Sequence, residues 1–165
     1  MSMLIAEADA TVDAPAGLVL QIIRDFEGHH RHILPKAFSD FRVLAGGVGA
    51  GTVTSFTTTL GGRKVHGQTV VTEPAAGVIR EDVVGRDMVT TFRVQERGNH
   101  AFVTIRTTWT PAGGINGFLE RRFAARMLRD IYREELALLQ AYARELDGYG
   151  AYAAPAVGLP AAAAG

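Results

Sequence analysis

The chain contains no cysteine, and this single absence removes disulfide staples, thiolate nucleophiles and cysteine-ligated zinc. A surplus of either charge is missing too: 17 Lys and Arg balance 17 Asp and Glu, so the overall charge gives no reason to expect a nucleic-acid partner. No apolar run is long enough to cross a bilayer, and stable membrane insertion is not expected. The first ten residues include Glu7 and Asp9 and have neither a basic start nor an apolar stretch, so no signal peptide is expected and a cytoplasmic location is the default. Lysine is scarce, two against fifteen arginines, which excludes no mechanism. What remains is 165 residues, 47% hydrophobic and 21% charged, enough for one domain with a substantial core.

The most periodic stretch runs from about Gly114 to about Asp147 and reads as one long helix. Steps of three and four residues give a stripe of Gly117, Arg121, Ala124, Leu128, Ile131, Glu135, Leu139, Tyr142 and Leu146, widened by Phe118, Tyr132 and Leu138. The opposite face carries Arg122, Arg126, Arg129, Arg133, Gln140 and Arg144, so the helix is amphipathic and lies on something. Arg121 and Glu135 are the two charged members of the stripe expected to be buried.

Before the helix, residues 4 to 12 alternate apolar with polar as a strand. Asp13-Ala-Pro15 stops it and opens a short helix with Asp13 as its expected cap and Leu18, Val19, Ile22, Ile23 and Phe26 at helical spacing. His29, His30 and His32 follow. They lack acidic or cysteine partners at metal-site spacing, so an exposed or cavity-rim role is favoured over metal binding. A strand over 37 to 45 ends in Gly46 to Gly51, a glycine-rich connection without the lysine and hydroxyl order of a phosphate loop.

The turns then set the register of the next strands. Gly61-Gly62 folds Thr52–Leu60 onto Arg63–Glu73, pairing Thr54 with Thr69, Phe56 with Gly67 and Thr58 with Val65 on the inner face. Gly85-Arg86 and Gly98-Asn99 do the same for the next two hairpins. They set Ile79 opposite Phe92, Glu81 opposite Thr90 and Val83 opposite Met88, and then Met88, Thr90, Phe92 and Val94 opposite Trp109, Thr107, Ile105 and Val103. Both counts turn Glu81 inward between Ile79 and Val83. After Asp147 the chain becomes rich in Ala, Gly and Pro and uncharged, which reads as a disordered tail over 148–165 behind a folded domain over 1–147.

This order, one strand, two short helices, an antiparallel meander and a long carboxy-terminal helix, is α+β and resembles the START / Bet v 1-like superfamily. Within it the chain is similar to the bacterial polyketide cyclase/dehydrase-like proteins. The resemblance is carried by Val12 to Ala16, Gly46 to Thr52, Thr72 to Pro74 and the glycine-rich approach to the last helix. It implies a helix-grip fold of about seven strands with a hydrophobic cavity between sheet and helix. One departure stands out: His29 and His30 occupy a place where an aromatic residue is expected.

Three functions follow from this reading. The first is binding or carriage of a small hydrophobic molecule such as a lipid, polyketide or quinone, with walls from Phe56, Met88, Phe92, Trp109 and Leu128. Its polar contacts would come from Glu81, Thr90, Thr107, Arg121 and Glu135. The second is a cyclase or dehydratase in which Glu81 or Glu135 acts as general acid or base, with Arg121, Thr90 and Thr107 orienting a carbonyl. The third is a protein-interaction module using the arginine face or the tail, for which the sequence shows no exposed apolar patch. No triad, metal signature or cofactor fingerprint is present, so neither metal nor cofactor is expected, and binding is preferred over catalysis.

Overall fold

The computed structural model describes residues 2–148 and 159–162. Strand β1 (Leu4–Val12) buries Ala6, Ala8 and Val12 and exposes Glu7, Asp9 and Thr11, as an alternating strand with one wet face must. Helix α1 (Ala16–Arg24) follows Pro15 and buries Leu18, Val19, Ile22 and Ile23. Asp13 does not cap it. The Asp13 backbone N–H instead donates to Gln140 Oε1 at 2.8 Å, and its carboxylate lies 2.9 Å from His100 Nδ1, tying the end of β1 to the last helix and to a neighbouring strand.

A 3-10 turn (His30–Ile33) leads into β2 (Phe38–Ala45), β3 (Val53–Leu60), β4 (Arg63–Ala75), β5 (Val78–Val83), β6 (Met88–Arg97) and β7 (His100–Trp109). All seven strands form one antiparallel sheet in the order β1-β7-β6-β5-β4-β3-β2. The registers expected from the glycine turns are present: Phe56 faces Gly67, Ile79 faces Phe92, Glu81 faces Thr90, and Met88 and Trp109 are opposite each other. A β-carbon on Gly67 would stand 2.7 Å from the Phe56 ring, so glycine there makes room for the aromatic.

The long helix is not one α-helix. It comprises α2 (Gly114–Leu119), a π-turn (Glu120–Ala124) and α3 (Ala125–Gly148). A π-turn widens the helix and slips its phase, so a stripe counted across it at 3.6 residues per turn goes wrong upstream. Arg121, expected to be buried, is exposed, and Phe118, expected to widen the buried stripe, is 63% exposed. Downstream the stripe holds: Leu128, Ile131, Tyr132, Glu135, Leu136 and Leu139 are buried against the sheet.

The core is graded along the strands. At the end near Val12, Val94, Ala101 and Val103 every one of these side chains is fully buried. At the other end the inward residues of β3, β5 and β6, including Phe56, Val83, Met88 and Thr90, keep partial exposure. Most of the expected tail, 149–158 and 163–165, lies outside the described residues. Leu159 to Ala162 depart from that expectation. The Glu96 N–H donates to the Pro160 carbonyl at 3.0 Å, the Ala162 N–H donates to the Glu96 carbonyl at 3.1 Å, and Leu159 is buried against Gly77.

Candidate functional site

The inward faces of β5, β6 and β7 place Glu81, Thr90 and Thr107 side by side, since each is register partner to the next. β5 and β6 pair without a register shift, so Glu81 stays on the inner face beside Val71 of β4. Opposite them α3 presents Tyr132 and, one turn on, Glu135. Thr90 Oγ1 and Thr107 Oγ1 are 2.7 Å apart, and Thr107 Oγ1 also hydrogen-bonds the Tyr132 hydroxyl, so a chain of hydroxyl groups links sheet and helix. Thr107 and Tyr132 are buried; Thr90 is half-buried.

The two carboxyls behave differently from these satisfied hydroxyls. Among the described residues neither Glu81 nor Glu135 has a side-chain hydrogen-bond partner, yet no buried side-chain oxygen is left without one. The carboxyl oxygens therefore keep some accessible surface, Glu81 being half-buried and Glu135 buried. Burial raises the Glu81 carboxyl to about 7. Glu135 is pushed well above the usual carboxylate range, first by burial and then by the nearby charge of Glu81. The pair therefore holds protons at neutral pH that an exposed pair would have lost. Burial also raises the Tyr132 phenol, which stays a neutral hydroxyl.

Five residues expected as apolar walls are wholly or partly buried. Phe92, Trp109 and Leu128 are buried and Met88 and Phe56 half-buried, the Phe56 ring meeting Phe38 edge-on at 5.4 Å between centroids. Arg121 is absent from this group; it is exposed on the π-turn. The histidines divide. His29 Nδ1 is 2.8 Å from the Tyr142 hydroxyl and His32 stacks on the Tyr142 ring, so these two clasp α3. His30, expected at the surface or a rim, is instead buried at 3% exposure. Its Nδ1–H donates to the Ile23 carbonyl at 2.6 Å, its ring stacks on Phe26, and burial lowers its pKa to about 4, keeping it neutral. It does the packing work of the aromatic residue that the resemblance leads one to expect there.

Tyr132 belongs to this polar group although its place in the sequence does not mark it as a candidate. Its spacing from Leu128 and Glu135 places it on the inner stripe, but tyrosine on such a stripe usually reads as core, and only the Thr107 bond shows its part in a polar group.

Residues 3–144 match the family described as polyketide cyclase / dehydrase and lipid transport. The chain belongs to that family. Among curated proteins none matches this sequence. The solution structure of the KanY protein is similar over 87% of this chain and 99% of that one, with 31% identity and a TM-score of 0.78. An aromatase/cyclase from a Streptomyces strain shares the fold at 17% identity and a TM-score of 0.72, covering 88% and 96% of the two chains. A START superfamily protein from Mycobacterium smegmatis does so at 14% identity and a TM-score of 0.66, covering 86% and 98%. The helix-grip architecture of this family is thus the architecture built above from turns and stripes.

Proposed function

We propose that the chain binds a small hydrophobic molecule carrying a carbonyl or hydroxyl group in the space between the sheet and α3. The observation that carries this reading is the pair of inward carboxyls, Glu81 half-buried and Glu135 buried, which have no hydrogen-bond partner among the described residues and whose pKa values burial raises. A protonated carboxyl in apolar surroundings donates a strong hydrogen bond to a ligand oxygen, and a charged ligand would face a larger desolvation cost. Tyr132 and the Thr90–Thr107 pair supply a second polar anchor about one helical turn away.

A specific observation also favours catalysis as a second reading. A carboxyl raised to about 7 beside a second one that is also raised is an arrangement in which one can give a proton and the other accept it, as dehydration or cyclisation of a polyketide-like substrate requires. Native mass spectrometry of the purified chain separates the two readings. Under the binding reading a hydrophobic compound co-purifies and is recovered unchanged, and Glu81→Gln lowers its occupancy. Recovery of a dehydrated or cyclised form after adding a linear precursor favours the enzyme. Absence of any bound compound, together with unchanged stability on adding aromatic polyketides, quinones or fatty acids, refutes both.

A further inference from the structure

Ile115 is 81% exposed, Phe118 63%, Leu119 47% and Phe123 53%, a concentration of large apolar side chains that soluble surfaces rarely carry in one short segment. Their spacing of three, one and four residues puts them on one side of α2 and the π-turn, while Gly117 on the other side is buried. The same segment is basic: between Ile115 and Arg126 there are three arginines, Arg121, Arg122 and Arg126, against the single acid Glu120. Glu120 is turned back on the Ala112 backbone N–H at 3.1 Å, whereas the Arg122 guanidinium lies 5.9 Å from the Phe123 ring centroid, beside the apolar face. The β3–β4 turn adds to this surface. Gly61 stands against the Met127 methyl group, and the exposed Arg63 and Lys64 follow at once. A chain of zero net charge has therefore gathered cations around its exposed apolar segment.

We propose that α2 and the π-turn form a peripheral docking face for an anionic lipid bilayer, at the end of the sheet where the inner residues are partly exposed. Apolar side chains flanked by arginine match a headgroup layer that is negatively charged over an apolar interior. No helix among the described residues is long and apolar enough to cross a membrane, so contact is confined to the surface layer. The described part of the carboxy-terminal segment does not cover this face. Leu159 to Ala162 lie beside Glu96, whose partner Ala101 is near the start of β7, and α2 follows the end of β7, about 30 Å away at strand rise. Docking here would open the interior toward the lipid phase, where hydrophobic molecules reside. The inference uses the outer surface alone and does not rest on what the interior binds.

Sedimentation of the full chain with vesicles tests it. The chain should sediment with mixed phosphatidylcholine and phosphatidylglycerol vesicles, less at high salt, and stay in solution with phosphatidylcholine alone. Replacing both arginines, Arg122→Gln and Arg126→Gln, should weaken partitioning roughly fivefold for each cation, about 25-fold for both. Phe118→Ser with Phe123→Ser should abolish it with an unchanged melting temperature; if that variant unfolds, the arginine pair decides alone. Glu81→Gln, altered only inside, should sediment like the parent whether or not the interior takes a ligand. Failure to sediment, equal sedimentation with both vesicle types, or undiminished binding by the arginine variant overturns the proposal. So does a concentration-dependent dimer that the serine variant lacks and that excludes vesicles, because the face then belongs to a second copy.

Discussion

Glu81 is costly as an anion and cheap as an acid, and the sign of that difference is measurable. Its folded value is raised from 4.5 to about 7, so between these values the folded chain keeps a proton that the unfolded chain has released. The associated stability is present at low pH and lost as pH rises toward 7. Glu81→Gln should therefore be more stable than the parent at about pH 8, by roughly 2 to 3 kcal/mol more than at about pH 5, because one pKa unit corresponds to about 1.4 kcal/mol. Denaturant unfolding of both proteins at the two pH values checks this; parallel profiles would place the Glu81 carboxyl in free water. Glu135 pulls in the same direction, and its raised proton affinity depends partly on Glu81, so the double variant should show less than the sum of the single effects. His30 works against both at acid pH. It is neutral when folded, and as pH falls through 6.5 toward 4 the unfolded chain gains the proton first.

At the scale of elements, the strands were the legible part. Gly61-Gly62, Gly85 and Gly98 punctuate alternating segments, and once the turns are located the pleat leaves no freedom about which side chains face each other; the inward turn of Glu81 follows from these counts alone. The π-turn was not legible, because Glu120 to Ala124 have the composition of ordinary helix, and a phase slip leaves no mark in composition. Arg121 and Phe118 were misplaced for that one reason. His30 was misread for another: three histidines in four positions look polar, and only the packed rings of Phe26 and Phe41 show one of them acting as an aromatic. Leu159 shows the limit of reading composition. The residues around it in sequence are small and uncharged, but a single leucine suffices to anchor such a segment when Gly77 leaves a gap for it. Removing everything after Gly148 should then cost about 2 kcal/mol and lower the melting temperature by roughly 4 to 8 °C. Leu159→Ala alone should reproduce most of the loss, and a truncated chain that melts with the parent would show that Leu159 contributes nothing.

On the scale of the whole molecule, the sheet, α1 and α3 share one core, and Trp109 packs in it at the side where β6 begins and β7 ends. It is the sole tryptophan, so its emission reports that side without interference. Trp109→Ala should cost about 3 to 5 kcal/mol, as truncation of a buried aromatic does. In the parent, emission should shift as a hydrophobic ligand fills the interior beside Met88. Saturable binding without any shift would put the ligand elsewhere. The grading of burial along the strands has a kinetic corollary. Val12, Val94, Ala101 and Ala143 are fully buried at one end and Leu159 is buried beside it, so under the proposed binding function an occupant has only the opposite end, where Phe56, Met88 and Thr90 keep partial exposure, by which to enter and leave. An incoming molecule cannot push an occupant out from behind; both must use the single open rim, one after the other. Exchange of one cargo for another then proceeds at the rate at which the first leaves, and adding more of the second does not hasten it.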